Sequence, residues 1–336
     1  MEEQNLTLPL AETRRLTRRS AGRIGWALAL YMGLTSLVQI LLAALFTAFW
    51  PAVTEQGWYV WALSYLPQLV IALPAAWAVL KKGQTAPAEK SSLGALRWLR
   101  LLVIGEAMMY AGNLVSTGLT ALLEGLTGAS AANAVEEIVT GSDLWATLLF
   151  AVILAPLTEE LLFRRLIAER LRPYGDKTAL LLSAALFALM HASLYQFVYA
   201  FLLGLVLGYA YLRTGRLRAS LGIHMGLNFL GSVLPMLLMQ GMERLGLSLE
   251  ALEDMDTQAL IDCAAENPAP ILLFGAYALV LLALVATGVV LLAVYAREIR
   301  LESPTRIPEK KTALVLNWGV LVFALLSLLL TAASFL

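Results

Sequence analysis

Long apolar runs separated by short polar bridges set the pattern of this chain. Nine stretches are apolar enough to enter a membrane, and most reach the roughly 20 helical residues that a hydrocarbon core requires. They are Ile24 to Trp50, Trp58 to Leu80, Trp98 to Leu123, Leu144 to Phe163, Thr178 to His191, Leu194 to Leu212, Leu217 to Gln240, Pro270 to Ala296 and Ala313 to Leu336; the fifth is short. The pattern predicts an all-α, polytopic transmembrane helix bundle of about eight to nine membrane helices. Residues 1–23 read as a cytosolic N-terminal segment and 24–142 as about three helices with an outer loop. Residues 143–240 form a four-helix core, 241–269 an acidic outer loop, and 270–336 two C-terminal helices.

Charge orients the bundle, because lysine and arginine stay on the cytoplasmic side of short loops. With the N-terminus inside, all but one of the 24 basic residues fall in inner segments, the exception being Arg244. The outer loops are acidic, with Glu124, Glu136, Glu137 and Asp143 in one and Glu243, Glu250, Glu253, Asp254, Asp256, Asp262 and Glu266 in another. Composition agrees: 60% of residues are apolar and 14% charged, with a mean hydropathy of +0.75. That excludes an ordinary soluble domain. A net charge of zero, divided by side, implies no nucleic-acid partner. The first run is too long for a cleaved signal peptide and reads as a retained anchor. Cys263, the one cysteine, excludes an intrachain disulfide and a thiolate cluster. No internal repeat of the transporter kind is visible, and Pro304 and Pro308 should break helix in the polar segment from Glu298 to Lys311.

An ionisable side chain at membrane depth costs roughly 2.5–3.5 kcal/mol even on a lenient scale, so those present carry information. They are Glu159, Glu160 and Arg164 in the fourth run, His191 in the fifth, His224 with Asn228 in the seventh, and Glu106 in the third. Both histidines of the chain are among them. Glu160 and Arg164 are four apart and share a helix face, acid before base. Glu159 is turned about 100° from its neighbour and is free to face elsewhere. His224 and Asn228, and likewise Phe187 and His191, repeat the four-residue spacing. Glu159 and His191 are each sixteen residues from Gly175, about 24 Å of helix, and His224 is about 14 Å from the turn at Gly215. These groups can then meet at one level nearer the cytosol, provided that "RRLIAERLRPYGDK" projects from the membrane as extended helix. Glu106 has no motif around it and reads as structural or cavity-lining. "GLVLG", Gly204 to Gly208, suits close packing within the bundle.

"EELLFR" (Glu159 to Arg164), "FALMH" (Phe187 to His191) and "HMGLN" (His224 to Asn228) resemble the EExxxR, FxxxH and HxxxN/D motifs of the CPBP or Abi family. These are the CAAX-protease and bacteriocin-processing intramembrane proteases, and the resemblance covers roughly Asp143 to Gln240. It implies that Glu159 is the general base and that His191 helps to hold the water. His224 and Asn228 would stabilise the oxyanion, with Glu160, Arg164 and Phe187 in support. The residues themselves suit that division, since peptide hydrolysis needs a base, donors for the oxyanion and restricted access of water.

Two histidines and a carboxylate, here Glu159, His191 and His224, would also suit a catalytic zinc site with one open position. The histidines lack HExxH spacing, and Asn228 below His224 looks like a hydrogen-bonding pair, which favours metal-free chemistry. The leading expectation is an intramembrane endopeptidase acting on a membrane-embedded or membrane-tethered peptide or protein near the cytosolic face, in a bacterial plasma membrane. A non-catalytic bacteriocin-immunity or binding scaffold, and a proton-coupled transporter using the same cluster, are the other classes. Oligomeric state leaves no trace in the sequence.

Overall fold

A computed structural model describes residues 10–130, 142–247, 257–301 and 312–335. Among the described residues every regular element is helical. Ten helices matter here: α1 (Leu10–Phe49), α2 (Tyr59–Leu80), α3 (Ala95–Thr127), α4 (Leu144–Tyr174) and α5 (Asp176–Met190). They are followed by α6 (Leu194–Thr214), α7 (Leu217–Arg244), α8 (Thr257–Glu266), α9 (Ala269–Tyr295) and α10 (Trp318–Ala333). Each of the nine apolar runs contains one, with α8 additional in the acidic loop. Among the described residues six spans, based on α1, α2, α4, α6, α7 and α9, are long and apolar enough to cross a membrane. The chain is an integral, multi-pass membrane protein. Glu136, Glu137, Glu250, Glu253, Asp254, Asp256, Pro304 and Pro308 lie outside the described residues.

Boundaries move outward from those expected, because helix propensity continues where hydropathy stops. The polar N-terminal segment is helical from Leu10, and α4 runs on to Tyr174. In contrast, the last run breaks at Asn317, whose side chain accepts from Val320 N and caps α10. Residues 164–176 do not project freely. Arg164, Glu169, Arg170 and Asp176 are all buried, because the connection between α2 and α3 straps this stretch down. Arg170 donates to the Leu80 carbonyl, Arg172 donates to Asp176 and the Ala86 carbonyl, and Ala86 N donates to Glu169 O. The same strap meets the α6–α7 turn, where Gly215 holds φ +59 and any Cβ would collide with the Ala88 and Glu89 carbonyls.

These bonds gather one end of the bundle. Arg23 reaches Lys82 O, Ser91 reaches Arg213 O, and Trp98 Nε1 reaches Ala219 O. All belong to segments rich in lysine and arginine, so we call this the basic end. At the other end Tyr195 bonds Glu124, and Gly57 lies against Asp143. The core joins α1 to α7 and α10 around Phe163, Phe187, Leu207 and Leu227.

Lipid is as apolar as leucine, so helices associate here by close packing rather than by expelling water. Glycines do this at the crossings. Gly204 and Gly208 face Ala184 and Leu180 of α5, placing the small-residue pair inside the bundle. Gly25 meets Gly319 so closely that a Cβ on either would overlap the other helix's backbone. Gly25→Ala should therefore destabilise the chain by about 1–3 kcal/mol, read as a lower unfolding temperature in detergent, since backbone cannot yield as a side chain would.

Candidate active site

Prolines shape the helices that build the site. Pro74, Pro156 and Pro235 each follow a π-helical stretch by two residues, the stretches being Gln68–Ala72, Thr147–Leu154 and Phe229–Val233. Proline lacks an N–H and clashes with the carbonyl four residues back; widening the preceding turn relieves the clash. In α4 the consequence is local. The N–H of Ala155 goes to Phe150 O, and residue 156 has no N–H to offer Ala151 O. Asn228 of α7 fills that place, its Nδ2 donating to Ala151 O at 2.8 Å. One amide N–H of Asn228 is thus committed to joining α4 and α7, and the other remains for chemistry. Asn228→Ala should cost about 1–3 kcal/mol by orphaning the carbonyl. Adding Pro156→Ala should recover part of that loss in thermal unfolding, because it restores a backbone donor.

Glu159 and Glu160 lie on the α-helical turn of α4 between two π-helical stretches. His224 of α7 stands between them. Its Nε2 is 3.5 Å from Glu159 Oε2 and its Nδ1 is 3.3 Å from Glu160 Oε1. Glu160 also accepts from Arg164 Nε, 3.2 Å from each carboxylate oxygen. Glu160 and Arg164 are 0% exposed and His224 2%, whereas the Glu159 side chain retains 18%. The inner acid is matched by its own helix. The outer acid shares the imidazole and stays accessible.

His191 is the C-cap of α5. Its Nδ1 is 2.9 Å from Phe187 O, and since a carbonyl only accepts, Nδ1 carries the proton. In a neutral ring Nε2 is then a free acceptor. The next residue, Ala192, holds φ 46, an uncommon conformation for a residue with a Cβ, stored at the turn that aims His191. Phe187 ties the site together: its ring is edge-on to His191 at 4.8 Å and to His224 at 6.1 Å, and Arg164 lies 5.4 Å from its centroid. Both Nη atoms of Arg164 have no hydrogen-bond partner among the described residues, so the ring face offsets part of that cost.

The structure therefore brings Glu159, Glu160, Arg164 and His224 into one cluster and sets Phe187 against it with His191. Asn228 is turned toward Ala151. No three His, Cys, Asp or Glu side chains come together as a metal-ligand set among the described residues. The zinc arrangement of Glu159, His191 and His224 does not fit the side chains as they stand. Glu106 is apart from the cluster, buried on α3 with both carboxylate oxygens unpartnered among the described residues.

Sequence reasoning missed the tyrosines of α1, α2 and α6. Tyr31, Tyr65 and Tyr199 lie within electrostatic range of Glu159. Tyr31 donates to Gln68 Oε1 at 2.8 Å, and Gln68 Nε2 donates to Ser64 O at 2.8 Å. The signal in the sequence is a set of neutral polar side chains, Gln68 above all, in otherwise apolar runs.

Residues 141–230 match the model of the Rce1-like family, described as type II CAAX prenyl endopeptidase Rce1-like. The match spans about a quarter of the chain, and this segment is similar to that family. It runs from just before α4 into α7 and contains Glu159, Glu160, Arg164, Phe187, His191, His224 and Asn228. Comparison with curated proteins and with solved structures finds no match. The likeness supports endopeptidase activity in a membrane protein in general; α1 to α3 and α8 to α10 are outside the matched segment.

Proposed function

We propose that the chain is an intramembrane endopeptidase that hydrolyses a peptide bond in a membrane-embedded or membrane-tethered substrate, with Glu159 activating water. The observation that carries this reading is the position of His224, within 3.5 Å of the accessible Glu159 and held on its other nitrogen by the buried Glu160. Water entering beside Glu159 gives up a proton to the carboxylate as its oxygen attacks the scissile carbonyl. His191, with Nδ1 fixed on Phe187 O, offers Nε2 to accept a hydrogen bond from that water.

The carbonyl oxygen becomes negative in the tetrahedral intermediate, and donors already in place stabilise it without reorganising. His224 can supply Nε2–H, and Asn228 its uncommitted amide N–H. Collapse of the intermediate breaks the C–N bond, and Glu159 returns its proton to the departing amine. His224 lies about 14 Å along α7 from Gly215 at the basic end, and a substrate entering from that side meets the cluster. The charge rule makes that side cytosolic.

The test is incubation of the purified chain in proteoliposomes with a membrane-tethered peptide, followed by mass analysis. Two fragments with a new carboxyl and a new amine are expected. Binding without fragments would support a scaffold, and pH-dependent flux without fragments a transporter. A parallel incubation with a chelator should leave the rate unchanged. Loss of cleavage restored by zinc would mean that Glu159, His191 and His224 rearrange into a ligand set.

A further inference from the structure

A groove of about 960 Å³ opens at the basic end between α1 and the start of α10, and it shares no lining residue with the Glu159 cluster. Arg15, Arg18, Arg19 and Arg23 line it, and no aspartate or glutamate does among the described residues. All four are exposed, and among the described residues none has a carboxylate partner. Arg15, Arg19, Gly22 and Trp26 recur at steps of four, three and four, which sets them along one face of α1. Gly22 lets Asn317 approach, so the groove has a floor between the two helices. Four guanidinium groups without a carboxylate partner among the described residues, Arg23 alone spending one N–H on the Lys82 carbonyl, surround one opening and call for an anion.

What lies beyond the arginines says which kind. Trp26 and Trp318 border the groove with 50% and 79% of their surface exposed, as rings at a membrane interface do. Along the same face of α1 the exposed side chains then turn apolar, with Leu30, Leu37 and Ile40. On α10, Leu321 lines the groove and Leu325 continues its face, both exposed. A cationic head site thus runs into an apolar track across an aromatic border, matching a molecule with an anionic head and acyl tails. Basic pockets between membrane helices bind such headgroups.

We propose that this groove binds an anionic phospholipid, its phosphate on Arg15, Arg18 and Arg19 and an acyl chain along α1 and α10. The test is native mass spectrometry of the full chain in detergent, offered equal amounts of phosphatidylglycerol and phosphatidylcholine. The wild type should retain phosphatidylglycerol in preference. Arg15→Gln/Arg18→Gln/Arg19→Gln should weaken that retention by about tenfold or more, with unchanged helical circular dichroism. Lys81→Gln/Lys82→Gln/Lys90→Gln removes equal charge from the same end outside the groove and should leave it intact. If the triple arginine variant does not fold, Arg15→Gln and Arg19→Gln singly should each lower retention several-fold. Equal loss in the arginine and lysine variants would overturn the proposal in favour of diffuse surface attraction. Competition by soluble glycerol 3-phosphate as strong as that by the lipid would overturn it too, since the apolar track would then contribute nothing.

Discussion

Glu159→Gln should reduce cleavage of a tethered peptide by about 10²–10⁴-fold, the range for a general base, while leaving the unfolding temperature near that of the wild type. The reasoning joins two properties of one side chain. Glu159 keeps 18% of its surface and contacts His224 at 3.5 Å, so an amide of the same shape loses little packing. An amide cannot take the proton from water. A loss of activity accompanied by a large loss of stability would instead mean that Glu159 is a structural partner of His224. Glu159→Asp should recover part of the rate, since it keeps the base and shortens its reach.

Opposite behaviour is expected of the inner pair. Arg164→Leu should destabilise the chain by about 3–5 kcal/mol, because it strands the Glu160 carboxylate at a site with no exposed surface. Replacing both members, Glu160→Met with Arg164→Leu, should bring stability back to within about 1 kcal/mol of the wild type, as apolar substitutes for buried ion pairs commonly do. Activity should not return with it. His224 would have lost the acid on Nδ1, and losing an orienting carboxylate beside a working histidine costs up to about 10⁴-fold. Stability and activity together separate a pair that only packs from one that also aims the imidazole. Recovery of both in the double variant would restrict Glu160 and Arg164 to packing.

Much of this was legible in the sequence for reasons that can be named. Bilayer thickness sets run length, so the nine runs marked where helices form. The charge division grouped the segments that meet at the basic end, as Arg23 with Lys82 and Ser91 with Arg213 show. Four-residue spacing paired Glu160 with Arg164 and left Glu159 turned away. Other features depend on contacts between distant segments. Spacing placed Asn228 beneath His224, yet its amide turns to Ala151 O, because Pro156 seventy-odd residues earlier leaves that carbonyl without a donor. The charge of residues 164–176 suggested solvent; most of them, Arg165 excepted, are buried or half-buried because the α2–α3 connection supplies carbonyls to Arg170 and Arg172. The bond from Tyr31 to Gln68 could not be read from either run alone, since nothing in either says which face turns inward.

The most direct measurement of the central claim is a single turnover, with enzyme in excess over tethered peptide, in water enriched in heavy oxygen. If Glu159 activates water, the fragment with the new carboxyl group carries one solvent oxygen from the first turnover and Glu159 carries none. A first-turnover fragment holding ordinary oxygen, with heavy oxygen appearing in Glu159, would make that side chain a nucleophile and contradict the mechanism.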